Sequence, residues 1–174
     1  MAPLLERDGE LEMLERVAHG AVTGRGGLVL VSGEAGIGKT SLVRALRGRV
    51  ADRLTVLIGA CELLSVPVPL APWRELVEAA GGPNLARQSS GDRLRLARVV
   101  LDALGRRSPL LAVIEDAHWA DPLTVDVIRL VARRLEQRPL ALLVTYRDDE
   151  LQAKPPLAQL VGTSWQTPRS NASS

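Results

Sequence analysis

The chain has 174 residues, room for one domain with a self-sustaining core, and its 46% hydrophobic and 24% charged residues exclude a disordered chain. The net charge of +2 offers no broad basic surface for nucleic acid, and the clusters Arg44, Arg47, Arg49, Arg53 and Arg93, Arg95, Arg98 read as solvated helix faces. A single cysteine, Cys61, excludes an intramolecular disulfide and reads as a small core residue; no apolar run nears the ~18 residues of a membrane span, and no basic-then-apolar leader opens the chain, so a cytoplasmic location with no membrane partner is expected.

With aromatics at 2% and no Phe, the core must be aliphatic, as in a parallel sheet covered on both faces. Asp8 to Ala21 carries Leu11, Leu14, Val17, Ala18 and Ala21 at helical spacing, ending at Gly20 or Gly24. Leu28 to Val31, apolar and too short for a helix, is a buried strand. A second helix from Lys39 carries Leu42, Ala45, Leu46 and Val50, and Leu54 to Ile58 is the second strand. Pro67, Pro69 and Pro72 make 65–72 an exposed loop. Short helices follow over Trp73 to Ala80 and Asp92 to Leu104, the second with Leu94, Ala97, Leu101 and Leu104 on one face. Leu110 to Ile114 is the third strand, Asp121-Pro122 starts a helix reaching about Arg134, and Leu140 to Thr145 is the fourth strand. After Leu151 the pattern fades into a polar tail. Alternating strand and helix imply an α/β sheet with right-handed crossovers.

The first strand enters its helix through Gly33-Glu34-Ala35-Gly36-Ile37-Gly38-Lys39-Thr40, followed by Ser41. Glycines at these spacings let backbone N–H groups converge on phosphates, reinforced by the positive end of the helix. In such a P-loop Lys39 reaches the β- and γ-phosphates and Thr40 offers its hydroxyl to Mg²⁺. A mere Gly-rich turn would not explain the second motif.

Leu110 to Ile114 delivers Glu115 and Asp116 to the carboxyl end of a strand, where ligands of open α/β sheets gather. By order Glu115 is the metal-associated acid and Asp116 the one that polarises the attacking water, although Asp more usually comes first. His118 reads as a hydrogen-bonded structural residue and Asp121 as a helix cap. Arg147, just past the fourth strand, is either a sensor of the γ-phosphate or an exposed arginine at a strand end. The absence of an Asn-Lys-x-Asp segment favours adenine over guanine.

Taken together, Leu4 to Glu10, Gly33 to Thr40, Ile114-Glu115-Asp116-Ala117-His118-Trp119-Ala120-Asp121-Pro122 and Thr145 to Glu150 resemble the AAA-like ATPase domain of signal-transduction (STAND) ATPases. In particular they resemble the N-terminal domain of large LuxR-family regulators and Orc1-like AAA domains. The resemblance implies a P-loop NTPase three-layer sandwich with a mostly parallel sheet, stopping before the fifth strand and helical lid. It divides the chain into an adenine-side segment and helix (1–24) with Arg7 near the base, an ATPase core (25–160) and an irregular tail (161–174). It implies ATP/ADP and Mg²⁺ as ligands, slow hydrolysis, a protein partner or self-association, and no direct DNA binding by this segment. Two other readings are a non-hydrolysing nucleotide-binding interaction module or fragment, and a DNA-binding transcriptional regulator whose effector part lies elsewhere.

Overall fold

The computed structural model describes residues 8–36, 38–63, 68–88, 92–153 and 155–162. Strands β1 (Leu28–Val31), β2 (Thr55–Ala60), β3 (Leu110–Glu115) and β4 (Leu140–Thr145) form one parallel sheet in the order β1-β4-β3-β2. The third crossover inserts β4 between the two strands that carry the motifs. Val31 pairs with Thr145, and Ile114 with Val144, so all three strands end at one rim.

Alternation along the strands divides the core into two layers. Val29, Val31, Leu111, Val113, Ala141 and Leu143 face one side, where they meet Leu11, Leu14 and Ala18 of α1 (Asp8–Val22) and Leu42, Leu46 and Val50 of α2 (Lys39–Val50). Leu28, Leu30, Leu110, Ala112, Ile114, Leu140, Leu142 and Val144 face the other. There they are covered by α3 (Ala71–Ala79), α4 (Arg93–Gly105), α5 (Pro122–Ala132) and α6 (Pro155–Val161). This is the expected α/β sandwich of helices, parallel sheet and helices.

Two glycines allow close approaches. A Cβ on Gly26, at the entry to β1, would lie 1.9 Å from the Leu140 carbonyl oxygen; one on Gly59 of β2 would lie 2.5 Å from that of Pro72, where α3 starts.

Several boundaries differ from the sequence reading. β2 runs to Ala60, because Gly59 and Ala60 continue the pairing with Ile114 and Glu115. Leu94 is 56% exposed, and Leu96 and Val100 join Ala97, Leu101 and Leu104 in the core. At about 100° per residue Leu94 falls at the edge of that stripe, in the turn just after the cap. Beyond Leu151 the chain retains order through a 3₁₀ turn, Leu151–Ala153, and α6, whose Leu157 and Leu160 are buried. α6 lies against α5, and Arg129 Nη2 donates to the Pro156 carbonyl at 3.2 Å. Pro155 and Pro156 suit a first helical turn, where no N–H is needed, but a seven-residue helix is too short for its period to stand out. The tail from residue 163 lies outside the described residues.

Candidate functional site

Ser32 to Gly36 leave β1 at the shared rim, and Gly38 opens α2. Gly36 and Gly38 have φ of 76° and 87°, left-handed values natural to glycine, and Gly38 occupies the N-cap position of α2. Its carbonyl accepts the Leu42 N–H at 2.9 Å, so the helix N-terminus opens directly beneath the loop. Lys39 is only 8% exposed, and its Nζ donates to the carbonyls of Gly33 at 2.7 Å and Glu34 at 2.8 Å. Its ammonium is thus folded back into the loop.

A cleft of about 270 Å³ lies over this turn, lined by Ala35, Gly36, Gly38, Lys39, Thr40, Ser41, Asp116 and Arg147. The structure therefore joins residues from the ends of β1, β3 and β4. Gly33 is buried beneath the loop and Glu34 is exposed beside it. Glu115 does not line the cleft, but its Oε1 is buried at the end of β3 without a hydrogen-bond partner. Arg7 and Ile37, expected at the base and in the loop, lie outside the described residues.

Asp116 adopts φ 55° and ψ 44°, a left-handed conformation uncommon for a residue with a side chain and one that clusters at functional sites. Its N–H donates to Thr145 Oγ1 at 3.0 Å, tethering the end of β3 to the end of β4. Sequence reasoning missed this role for Thr145, since it depends on β4 lying beside β3. Arg147 pairs through Nη1 with Glu150 Oε1 at 3.1 Å, a partner whose i,i+3 spacing is visible in the sequence.

His118 departs from its expected hydrogen-bonded state. It is fully buried, and neither ring nitrogen has a hydrogen-bond partner. Nδ1 is 3.9 Å from Asp116 Oδ1 and Nε2 is 4.0 Å from Glu150 Oε1, too far for hydrogen bonds. Burial lowers its pKa, against the opposing pull of Glu150 and Asp116. Each such unpaired buried nitrogen costs about 1–3 kcal/mol. The ring sits in the 3₁₀ turn Ala117–Trp119, beside the Trp119 ring with centroids 4.9 Å apart.

Asp121 is the cap that its sequence suggests. Its Oδ1 accepts the Thr124 N–H at 3.0 Å, and its Oδ2 accepts the Thr124 hydroxyl and the Leu70 N–H, the latter at 3.0 Å. A neighbouring cleft of about 340 Å³ includes Cys61, Glu75, Trp119 and Asp121. Burial, then the charges of Asp121, Asp116 and Glu75, push the Cys61 thiol up to about 12, so it stays protonated and unreactive.

Among the described residues no group of three or more His, Cys, Asp and Glu is arranged to hold a metal. The oxygens of Thr40 and Glu115 are of the kind that a hard cation such as Mg²⁺ takes, one that keeps most of its shell as water and phosphate. The unpaired Glu115 Oε1 fits such a shell directly or through water. No described helix is long and apolar enough to cross a membrane.

A family profile described as AAA ATPase domain matches residues 3–144. An uncharacterized protein of Rhizobium meliloti (strain 1021) is 28% identical over 190 aligned positions, covering 83% of this chain. The chain spans 18% of that relative's length. Among solved structures, Aeropyrum pernix ORC2 in its ADPNP-ADP complexes superposes with a TM-score of 0.65 at 16% identity, over 94% of this chain and 46% of that one. Cdc6p of Pyrobaculum aerophilum gives 0.65 at 20% identity, over 97% and 46%. DnaA of Aquifex aeolicus bound to AMPPCP gives 0.51 at 12% identity, over 94% and 46%.

Proposed function

The chain belongs to the AAA ATPase domain family, and from that premise we propose that it binds ATP with Mg²⁺ in the Gly36–Ser41 cleft and hydrolyses it slowly. The observation that carries this reading is the meeting, in one cleft, of the loop's Lys39 and Thr40 with Asp116 and Arg147. In this reading Lys39 exchanges its carbonyl partners for the β- and γ-phosphates, while backbone N–H groups of the loop and the start of α2 bind the remaining oxygens. Thr40 and Glu115 hold the metal shell. Mg²⁺ would neutralise phosphate charge and orient the terminal group. Asp116 polarises the attacking water, the Thr145 tether fixes its backbone, and Arg147 contacts the γ-phosphate. Adenine as the base is supported by the absent Asn-Lys-x-Asp segment and by the adenine nucleotides in the Aeropyrum and Aquifex structures.

The Glu115-to-Pro122 segment supports placing this domain in a signal-transduction ATPase of the LuxR-regulator type, in which nucleotide state switches a protein partner or self-association. In such a cytoplasmic protein a different segment contacts DNA. A non-hydrolysing interaction module is the second reading, favoured by the exposure of Glu34, Ala35, Gly36, Thr40 and Ser41 to solvent.

Binding of ATP and release of phosphate in the unmutated chain, Thr40→Ala, Glu115→Gln and Asp116→Asn separate the two. Enzymatic function predicts that Asp116→Asn binds ATP but loses release. Binding with no release above background in the unmutated chain leaves the interaction module, and no ATP binding at all defeats both.

A further inference from the structure

Glu150 Oε1 has two suitors. It lies 3.1 Å from Arg147 Nη1, which holds it, and 4.0 Å from His118 Nε2, which does not. The other face of the same imidazole presents Nδ1 to Asp116 Oδ1 at 3.9 Å. His118 is thus a completely buried ring between two carboxylates, one beside the cleft in a half-exposed side chain and one bound to the arginine that lines the cleft. A neutral imidazole has one N–H donor and one lone pair, so it can serve one carboxylate at a time. Burial holds the ring neutral.

We propose that His118 is a positioning residue that links Asp116 to the Arg147–Glu150 pair, so that the placement of Arg147 decides whether Asp116 is held by the ring or released into the cleft. With Arg147 on Glu150, the ring carries its proton on Nδ1 and a shift of about 1 Å lets it donate to Asp116. When an anion in the cleft draws Arg147 away, Glu150 loses its donor and the ring supplies Nε2–H instead. Its proton count is unchanged, because Nδ1 gives up one proton as Nε2 gains one. The Nδ1 lone pair then faces the Asp116 oxygen, and the carboxylate turns outward. The nucleotide-driven step rests on the ATP reading; the link among His118, Glu150 and Arg147 does not.

The test is long-range ¹H–¹⁵N NMR of the ring nitrogens in the 174-residue chain, where the only other histidine, His19, is exposed on α1 and serves as a control. In the nucleotide-free chain, Arg147→Gln should move the His118 proton from Nδ1 to Nε2, Arg147→Lys should leave it on Nδ1, and His19 should not respond. A His118 pattern indifferent to Arg147→Gln overturns the link, whatever the nucleotide does. In the unmutated chain a non-hydrolysable ATP analogue with Mg²⁺ should reproduce the Arg147→Gln pattern, and ADP should not. A chain that binds neither nucleotide defeats the ATP reading, while the nucleotide-free comparison still decides the link. His118→Leu should then narrow the preference for ATP over ADP about tenfold, as expected for losing a hydrogen bond to a charged group. An unchanged preference in a variant that still binds both nucleotides overturns the positioning role.

Discussion

Lys39 shows how the loop treats its own charge when it holds no phosphate. A buried ammonium needs partners, and the Gly33 and Glu34 carbonyls supply them at hydrogen-bond distance. Lys39→Ala should therefore remove measurable ATP binding by calorimetry, and because it vacates the buried Gly33 carbonyl as well as the Glu34 carbonyl of an exposed residue, it should also cost about 1–3 kcal/mol in urea denaturation. Cys61 allows a pH prediction. Its thiol ionises near 12 in the fold against 9.0 ordinarily, so above pH 9 the unfolded chain releases this proton first. Stability linked to Cys61 is thus complete below pH 9 and falls as pH rises toward 12, by at most about 1.4 kcal/mol per pH unit. Urea denaturation at pH 8 and pH 10 should show this loss in the unmutated chain and a smaller one in Cys61→Ala.

Among the elements, α5 depends on the residue just before it. Asp121 caps α5 and also pairs the N–H of Leu70, a buried residue held at φ 61° at the start of α3. Asp121→Ala removes a cap worth about 1 kcal/mol and leaves the Leu70 donor unpaired at about 1–3 kcal/mol, so a loss of about 2–4 kcal/mol is expected in urea denaturation. Asp121→Asn, which keeps an acceptor oxygen for the cap, should lose less. Gly26→Ala should also be costly, since its Cβ would meet the backbone of β4 rather than a side chain able to move. A protein that remains as stable as the parent would show that β1 can shift relative to β4. The amphipathic pattern made α1, α2 and α5 legible because each buries one continuous stripe. Leu94 and α6 depart from that legibility, because there a stripe ends or is too short to repeat.

For the whole molecule, ligand binding should appear as stability, because a nucleotide that binds only the folded chain shifts the folding equilibrium. At a concentration a hundred times its Kd, ATP with Mg²⁺ should add about 2.7 kcal/mol, about 5–10 °C in Tm for a domain of this size. The shift should vanish in Lys39→Ala and shrink when EDTA removes the metal. An equal shift in Lys39→Ala would place the nucleotide outside this cleft. The chain spans under half of the similar Aeropyrum, Pyrobaculum and Aquifex structures, so what their remaining parts do stays separate from what this cleft holds.

The α/β alternation, the glycine loop and the acidic pair are legible in the residues alone, because each is a local pattern: hydrophobic period, glycines before a helix, and carboxylates closing an aliphatic strand. The position of β4 between β1 and β3 emerges from the folded chain, and with it the bond from the Asp116 N–H to Thr145 and the place of Arg147 in the cleft. Folding also buries His118 between Asp116 and Glu150. Apart from His118 beside Asp116, which share one turn, those relations join residues about 30 positions or more apart across neighbouring strands and the turns beyond them. Strand order is set by how helices of both layers cover the sheet, and no local spacing encodes it.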